Sequence, residues 1–161
     1  MQDIEALGVR TCAVDRAPLD AEALFQRTFK HPAPDFGHHV CAASDTGLFC
    51  YIHFWELDGA LMGGGACIDQ HALRRMSPES RQYLRAAGGA YQCTLRWAIA
   101  HFSGRFEAIF GYCGNPLAER ADLAAGFERT ALPRVLAYWY APGTSADRSA
   151  LLERVGRVGP F

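Results

Sequence analysis

Residues 39–69, HVCAASDTGLFCYIHFWELDGALMGGGACID, constrain the fold more than any other stretch. Three apolar runs, rich in aromatic and β-branched residues, are separated only by Asp45-Thr46-Gly47 and by Asp58-Gly59. Asp-Gly between such runs is a strong hairpin signal, because a tight primed turn needs positive φ at both central residues. The spacing predicts an antiparallel meander with strands over 39–44, 48–57 and 60–69. The third strand carries Gly63, Gly64 and Gly65. Three glycines weaken a strand and mark a bulge, or a place where another backbone or a ligand comes close.

The flanks supply helices and further strands. VRTCAV (9–14) reads as a short strand. PLDAEALFQRTF (18–29) reads as a helix with Pro18 at its front and Leu19, Ala23, Leu24 and Phe29 near one stripe. HPAPDFG (31–37) is a loop. After the meander, MSPESRQYLRAA opens a helix with Ser77 as N-cap and Pro78 at the first helical position. AYQCTLRWAIAHF (90–102) is apolar over most of its girth, which predicts a well-buried helix. FEAIFGYC (106–113) is a strand, and NPLAERADLAAGF (115–127) is a helix capped by Asn115 and stopped by Gly126. FERT and RVLAYWY (134–140) are the last strands, and DRSALLERV (147–155) is a final helix. This order predicts an α+β (mixed α/β) fold, with helices packed on a mostly antiparallel sheet. The connection from the strand at 60–69 to that at 106–113 should be a right-handed crossover joining parallel strands. The 161 residues favour a single domain over 1–161.

Composition narrows the class of function. The net charge is -1, which suggests no polybasic surface, and no nucleic-acid partner is expected. Arg74, Arg75, Arg81 and Arg85 nevertheless cluster against Glu79 alone, as a solvated face or a local anion site. No apolar run approaches ~20 residues, so no membrane span is expected. MQDIEALGVR lacks the apolar segment of a leader, and the cytoplasm is the expected compartment. The six cysteines show no zinc spacing and sit mostly in apolar runs, as buried free thiols do in a reducing compartment. No metal is expected either. His38 and His39 are adjacent on a strand, so they point apart, and no third ligand is evident. RVLAYWY reads as core or as a dimer surface, which keeps a homodimer among the expected assemblies.

The chemistry concentrates between the two parallel strands. A strand ends at Ile68-Asp69, arginines follow, and Gly88-Gly89 precede the buried helix. A helix start exposes unpaired N–H groups and a partial positive charge, so it attracts phosphate. Glycines there admit the phosphate to the backbone, and an arginine just ahead adds a charge-assisted donor. Neither G-x-x-x-x-G-K-[ST] nor G-x-G-x-x-G is present.

Arg85-Ala86-Ala87-Gly88-Gly89-Ala90 resembles the R/Q-x-x-G-x-G/A motif of the GCN5-related N-acetyltransferases, the GNAT superfamily, whose loop cradles the pyrophosphate of acetyl-coenzyme A. That family often follows its next strand with N-x-x-A, a helix and a closing Gly-Phe. Here FEAIFGYC runs into Asn115-Pro116-Leu117-Ala118, and Gly126-Phe127 closes the helix. The resemblance spans residues 48–140. It implies a GNAT-like sheet, mostly antiparallel with one parallel pair and with helices on both faces. It also implies acetyl-coenzyme A as co-substrate and transfer of its acetyl group to an amine by direct attack on the thioester. The implied cofactor contacts are Cys67 and Ile68 through their backbone, Arg85, Ala86, Ala87, Gly88, Gly89, Ala90 and Asn115.

The resemblance departs in two places. Asp122 stands where the family commonly has the tyrosine that protonates the departing thiolate. Residues 70–84 intervene where the family's segment is short, either as an extra short helix over the cofactor site or as a displacement of it. Candidate proton-transfer residues are Asp122, otherwise a solvated helix residue, and His53, otherwise a core or edge histidine. Glu56 faces opposite to His53, and no base can be named for Cys113 as a nucleophile. The acceptor, a small-molecule or peptide amine, stays open. Two further readings stand beside the enzyme: a GNAT-fold protein that binds coenzyme A or a nucleotide without catalysis, and a small-ligand-binding α+β domain.

Overall fold

The computed structural model describes residues 7–161, and residues 1–6, where the MQDIEALGVR segment begins, lie outside the described residues. The strands are β1 (Arg10–Val14), β2 (His38–Ser44), β3 (Gly47–Leu57), β4 (Ala60–Ile68), β5 (Ala108–Tyr112), β6 (Glu128–Arg129) and β7 (Val135–Trp139). The helices are α1 (Leu19–Phe29), α2 (Gln70–Arg75), α3 (Pro78–Ala86), α4 (Ala90–Phe102), α5 (Pro116–Ala125) and α6 (Ser145–Val158). The strands form one sheet in the order β1-β2-β3-β4-β5-β7-β6. Every pair is antiparallel except β4 with β5. The meander and the parallel crossover both stand as the sequence predicts. Asp58 and Gly59 both have positive φ, 47° and 82°, as their hairpin requires.

The sheet is covered on both faces because β3 is apolar on both. Ile52 and Phe54 point into the larger core, under α3, α4 and α5, with Leu61, Leu95, Phe102 and Ile109. Tyr51 packs with Leu24 and Phe25 of α1 on the other face. Further along that face, Met62, Phe110 and Ala137 pack under Leu151 and Val155 of α6. Sequence capping signals hold at the helix starts. Ser77 accepts from the Ser80 N–H, and Asn115 from the N–H groups of Leu117 and Ala118.

One detail differs from the sequence reading, and two others decide between its alternatives. The inner stripe of α1 is Ala21, Leu24 and Phe25, while Leu19 is 91% exposed and Ala23 is also outside. Ala21, Leu24 and Phe25 stand at i, i+3 and i+4 and so share the buried face, and Pro18 is the N-cap, so the helix starts one residue later. Residues 70–84 contain two helices. Asp69 caps α2 by accepting from the His71 and Ala72 N–H groups, and Ser77-Pro78 starts α3. RVLAYWY is a core strand: Val135, Leu136 and Ala137 are buried, and the Tyr140 hydroxyl donates to the Ile99 carbonyl at 2.7 Å. All six cysteines are free. Among the described residues no helix is long and apolar enough to cross a membrane.

What positions the site is the parting of β4 and β5. They pair only where Leu61 meets Ile109 and Met62 meets Phe110. Beyond Met62 the β3–β4 register shifts opposite His53, in the segment of Gly63, Gly64 and Gly65. The bulge turns β4 away from β5 and opens the sheet.

Candidate functional site

The parted strands enclose a cavity of about 660 Å³. Its walls come from both faces of the sheet. Ile52, Phe54, Tyr91, Asp122 and Phe127 line it on the side of α4 and α5, whereas Thr28, Phe29, Tyr112 and Phe161 line it on the side of α1 and α6. Gly63, Gly65 and Gly111 lie between them. The cavity therefore passes through the sheet, with a size suited to a small-molecule ligand. Of the sequence-predicted residues, Cys67, Ile68, Asn115 and Asp122 line it, whereas His53 and the run Arg85, Ala86, Ala87, Gly88, Gly89 and Ala90 do not.

His53 is 1% exposed and explains the glycine run instead. A β-carbon at Gly64 would stand 2.1 Å from its Nδ1, so only glycine lets the imidazole lie on the bulging backbone. Its Nε2 lies 2.7 Å from the Phe36 carbonyl, to which it donates in the neutral tautomer. The ring is thus a wedge behind the cavity wall, on the face covered by the 31–37 loop. Cross-strand from it, His39 is also buried and shares a hydrogen bond with the Tyr51 hydroxyl at 2.7 Å through its Nδ1. The two imidazoles are 5.2 Å apart. Burial first, and for His39 the neighbouring His53 second, holds both below the ordinary histidine pKa.

The α3–α4 junction carries Arg85 to Ala90. Gly88 and Gly89 have φ of 97° and 101°, which suit glycine. Their N–H groups already serve α3: Gly88 donates to the Arg85 carbonyl and Gly89 to that of Leu84. The first bond within α4 is from Cys93 to Gly89, so the N–H groups without an intrahelical partner are those of Ala90, Tyr91 and Gln92. Gly89 contributes a bare surface, Gly88 makes room for the Gln92 side chain, and the donors lie one to three residues after Gly89. Gly88 and Arg85 are exposed, and a β-carbon at Gly89 would meet nothing, so α2 and α3 leave the junction open.

Inside the cavity, Asp122 joins two neighbours. It accepts from the Tyr91 hydroxyl at 2.7 Å and from the Cys113 thiol at 3.1 Å. Burial raises its pKa above the usual carboxylate range, and these two hydrogen bonds pull against that rise. Burial and the facing carboxylate raise the Tyr91 phenol well above its usual range, so it stays protonated. Cys113 is pushed up by burial and by its bond to Asp122, which makes it a poor nucleophile. Burial pushes the Cys67 thiol up to about 11, so it is not a thiolate at neutral pH. Sequence reasoning misses Tyr91. Its one signal is its place, immediately after the GGA run and hence in the first turn of α4.

No protein-family model matches the chain, and no curated protein matches it either. Solved structures do match. The ribosomal-protein-S18-alanine N-acetyltransferase from Escherichia coli is similar over 84% of this chain and 97% of that one, with a TM-score of 0.55 and 13% identity. YhhK from E. coli, bound to coenzyme A, is similar over 81% of this chain and 98% of that one, with a TM-score of 0.55 and 11% identity. The catalytic domain of the Tetrahymena GCN5 histone acetyltransferase, in complex with coenzyme A, covers 85% of this chain and 96% of its own, with a TM-score of 0.54 and 10% identity. At these identities the likeness is one of fold. The chain has the fold of the GCN5-related N-acetyltransferases.

Proposed function

We propose that this protein is an acetyl-coenzyme A-dependent N-acyltransferase in which an amine attacks the thioester directly. The observation that carries the reading is the cavity through the sheet between the parted β4 and β5, beside the open N-terminus of α4. Two of the similar structures hold coenzyme A, which supports the same ligand here.

The N–H groups of Ala90, Tyr91 and Gln92 and the partial positive charge of α4 meet the pyrophosphate, with Arg85 as a charged donor. The exposed backbone edge of β4 near Cys67 and Ile68 bonds the pantetheine amides, and Asn115 borders the arm. A β4 N–H polarises the thioester carbonyl. The neutral amine attacks that carbon, the C–N bond forms, and the C–S bond breaks. The Tyr91 phenol gives its proton to the sulfur. The ammonium proton leaves through solvent in the cavity mouth, and Tyr91 is reprotonated with Asp122 holding it in place. The products are amide and free thiol, with no covalent enzyme intermediate. His53 serves this reading as the wedge that keeps the bulge open.

Calorimetric titration with acetyl-coenzyme A tests the first step, beside an Arg85→Glu variant that should bind more weakly. Thiol release over a panel of amines tests the second. A wild-type protein that neither takes up acetyl-coenzyme A nor gains thermal stability from it sinks the reading. One observation favours a binder without catalysis: the Tyr91 hydrogen is directed at Asp122. Tight coenzyme binding with no thiol release above background for any amine would decide for that binder.

A further inference from the structure

The mouth on the face of α1 and α6 has a chemistry of its own. Phe29 ends α1, remains 37% exposed, and lines the cavity. Its ring is tilted on Phe25 at 4.5 Å. Gly65, with φ of 122°, lets this ring lie on the β4 backbone, since a β-carbon there would stand 3.4 Å from Phe29 and 3.1 Å from Phe25. Across the parting, Tyr112 and Phe161 stand ring to ring at 5.9 Å and line the same cavity. Among the described residues that line it, Asp122 is the sole charged side chain, and both of its oxygens are engaged. A polycation would find no ion pair here. An aromatic body would gain burial and ring-to-ring contact on both sides. The same apolar surroundings favour the neutral form of an amine, which is the form that attacks.

Resting on the acyltransferase reading, we infer that the acceptor is a primary amine on an aromatic body, an arylalkylamine in chemical class, seated between Phe29 and the Tyr112–Phe161 pair. Its nitrogen forms the new C–N bond as the C–S bond breaks. It loses one proton to solvent, and the departing sulfur gains one.

The test compares 2-phenylethylamine and benzylamine with spermidine and a lysine peptide, by thiol release at saturating acetyl-coenzyme A. The arylalkylamines should be preferred. Phe29→Ala should lower their kcat/KM by about tenfold or more while acetyl-coenzyme A affinity stays unchanged, and Phe29→Tyr should restore most of it. Phe161→Ala provides a second variant outside any helix or strand. Faster turnover of spermidine or the peptide overturns the inference. So does indifference to both truncations, or coenzyme binding with no acetylation of either arylalkylamine. If acetyl-coenzyme A does not bind, the acyltransferase reading fails separately. Direct titration with 2-phenylethylamine, followed by chemical-shift changes, then decides this one: shifts confined to the cavity residues support the aromatic seat, and none refutes it.

Discussion

Tyr91 donates to Asp122 across 2.7 Å, tying the first turn of α4 to the middle of α5 inside the cavity. Position 122, where the family resemblance expects a tyrosine, instead holds the carboxylate that binds a tyrosine arriving from another helix. Gly111 makes room for it, since a β-carbon there would lie 3.1 Å from the Asp122 carboxylate. If Tyr91 protonates the departing sulfur, Tyr91→Phe should lower kcat roughly 100-fold. Acetyl-coenzyme A affinity should hardly move. Steady-state rates beside calorimetry check this, and an unchanged kcat in the variant would remove Tyr91 from the proton path.

Asp122 itself gives a stability prediction whose sign follows from its raised pKa. The unfolded carboxyl ionises before the folded one, so the native state binds more protons and loses stability as pH rises through the carboxylate range. Asp122→Asn removes that loss while its side-chain oxygen still accepts from Tyr91. The Asn variant should therefore gain on wild type from acid to neutral pH. Asp122→Ala leaves the buried Tyr91 hydroxyl unmet and should cost about 1–3 kcal/mol. Urea unfolding at acid and neutral pH measures both. A neutral-pH Asn variant that falls further behind wild type than in acid contradicts the sign.

Gly64 and His53 form a matched pair, one lacking a β-carbon where the other places its ring. Gly64→Ala forces the imidazole or the bulge to move, with an expected loss of about 1–3 kcal/mol, as for other overpacked sites. His53→Ala in the same chain should recover part of that loss, because the two changes share one space. The double-mutant cycle is read by chemical denaturation. Strict additivity would mean that the two residues do not meet as described.

The sheet is legible from sequence because its signals are local. Asp58-Gly59 sets a hairpin, Ser77-Pro78 and Asn115-Pro116 start helices, and Gly126 stops one with φ of 107°. The glycine run reads correctly as a bulge for the same reason. Its cause does not, because His53 meets Gly64 through a register shift that no periodicity reveals. The Tyr91–Asp122 bond joins residues 31 apart in sequence, on separate helices, so only packing brings it together. The α3–α4 junction is legible as a place and not as a set of donors. Which N–H groups are free depends on how α3 closes, with Gly89 bonded back to Leu84. Helix α2 is too short to show a helical period, and its signal is the Asp69 cap alone.

The buried histidines make stability fall on the acid side of neutrality. His39 and His53 are 0% and 1% exposed, and their folded pKa values lie below the ordinary one. His53 and the nearby His38 oppose a charge on His39, while Glu22 and Asp15 favour it; for His53, the Phe36 carbonyl favours the charge and His38 opposes it. Burial outweighs the favourable contributions in both. The unfolded chain therefore binds more protons than the folded one once pH drops below about 6.5, and stability is lost from there downward. Each histidine adds a slope of up to about 1.4 kcal/mol per pH unit, and above neutrality neither contributes any slope. A double variant, His39→Phe with His53→Gln, should flatten this acid limb, even if it lowers the plateau. Unfolding free energies between mildly acid and mildly alkaline pH measure it. If the limb persists unchanged in the double variant, the proton uptake belongs to other groups, and the wedge behind Gly64 is not the acid-sensitive part of the fold.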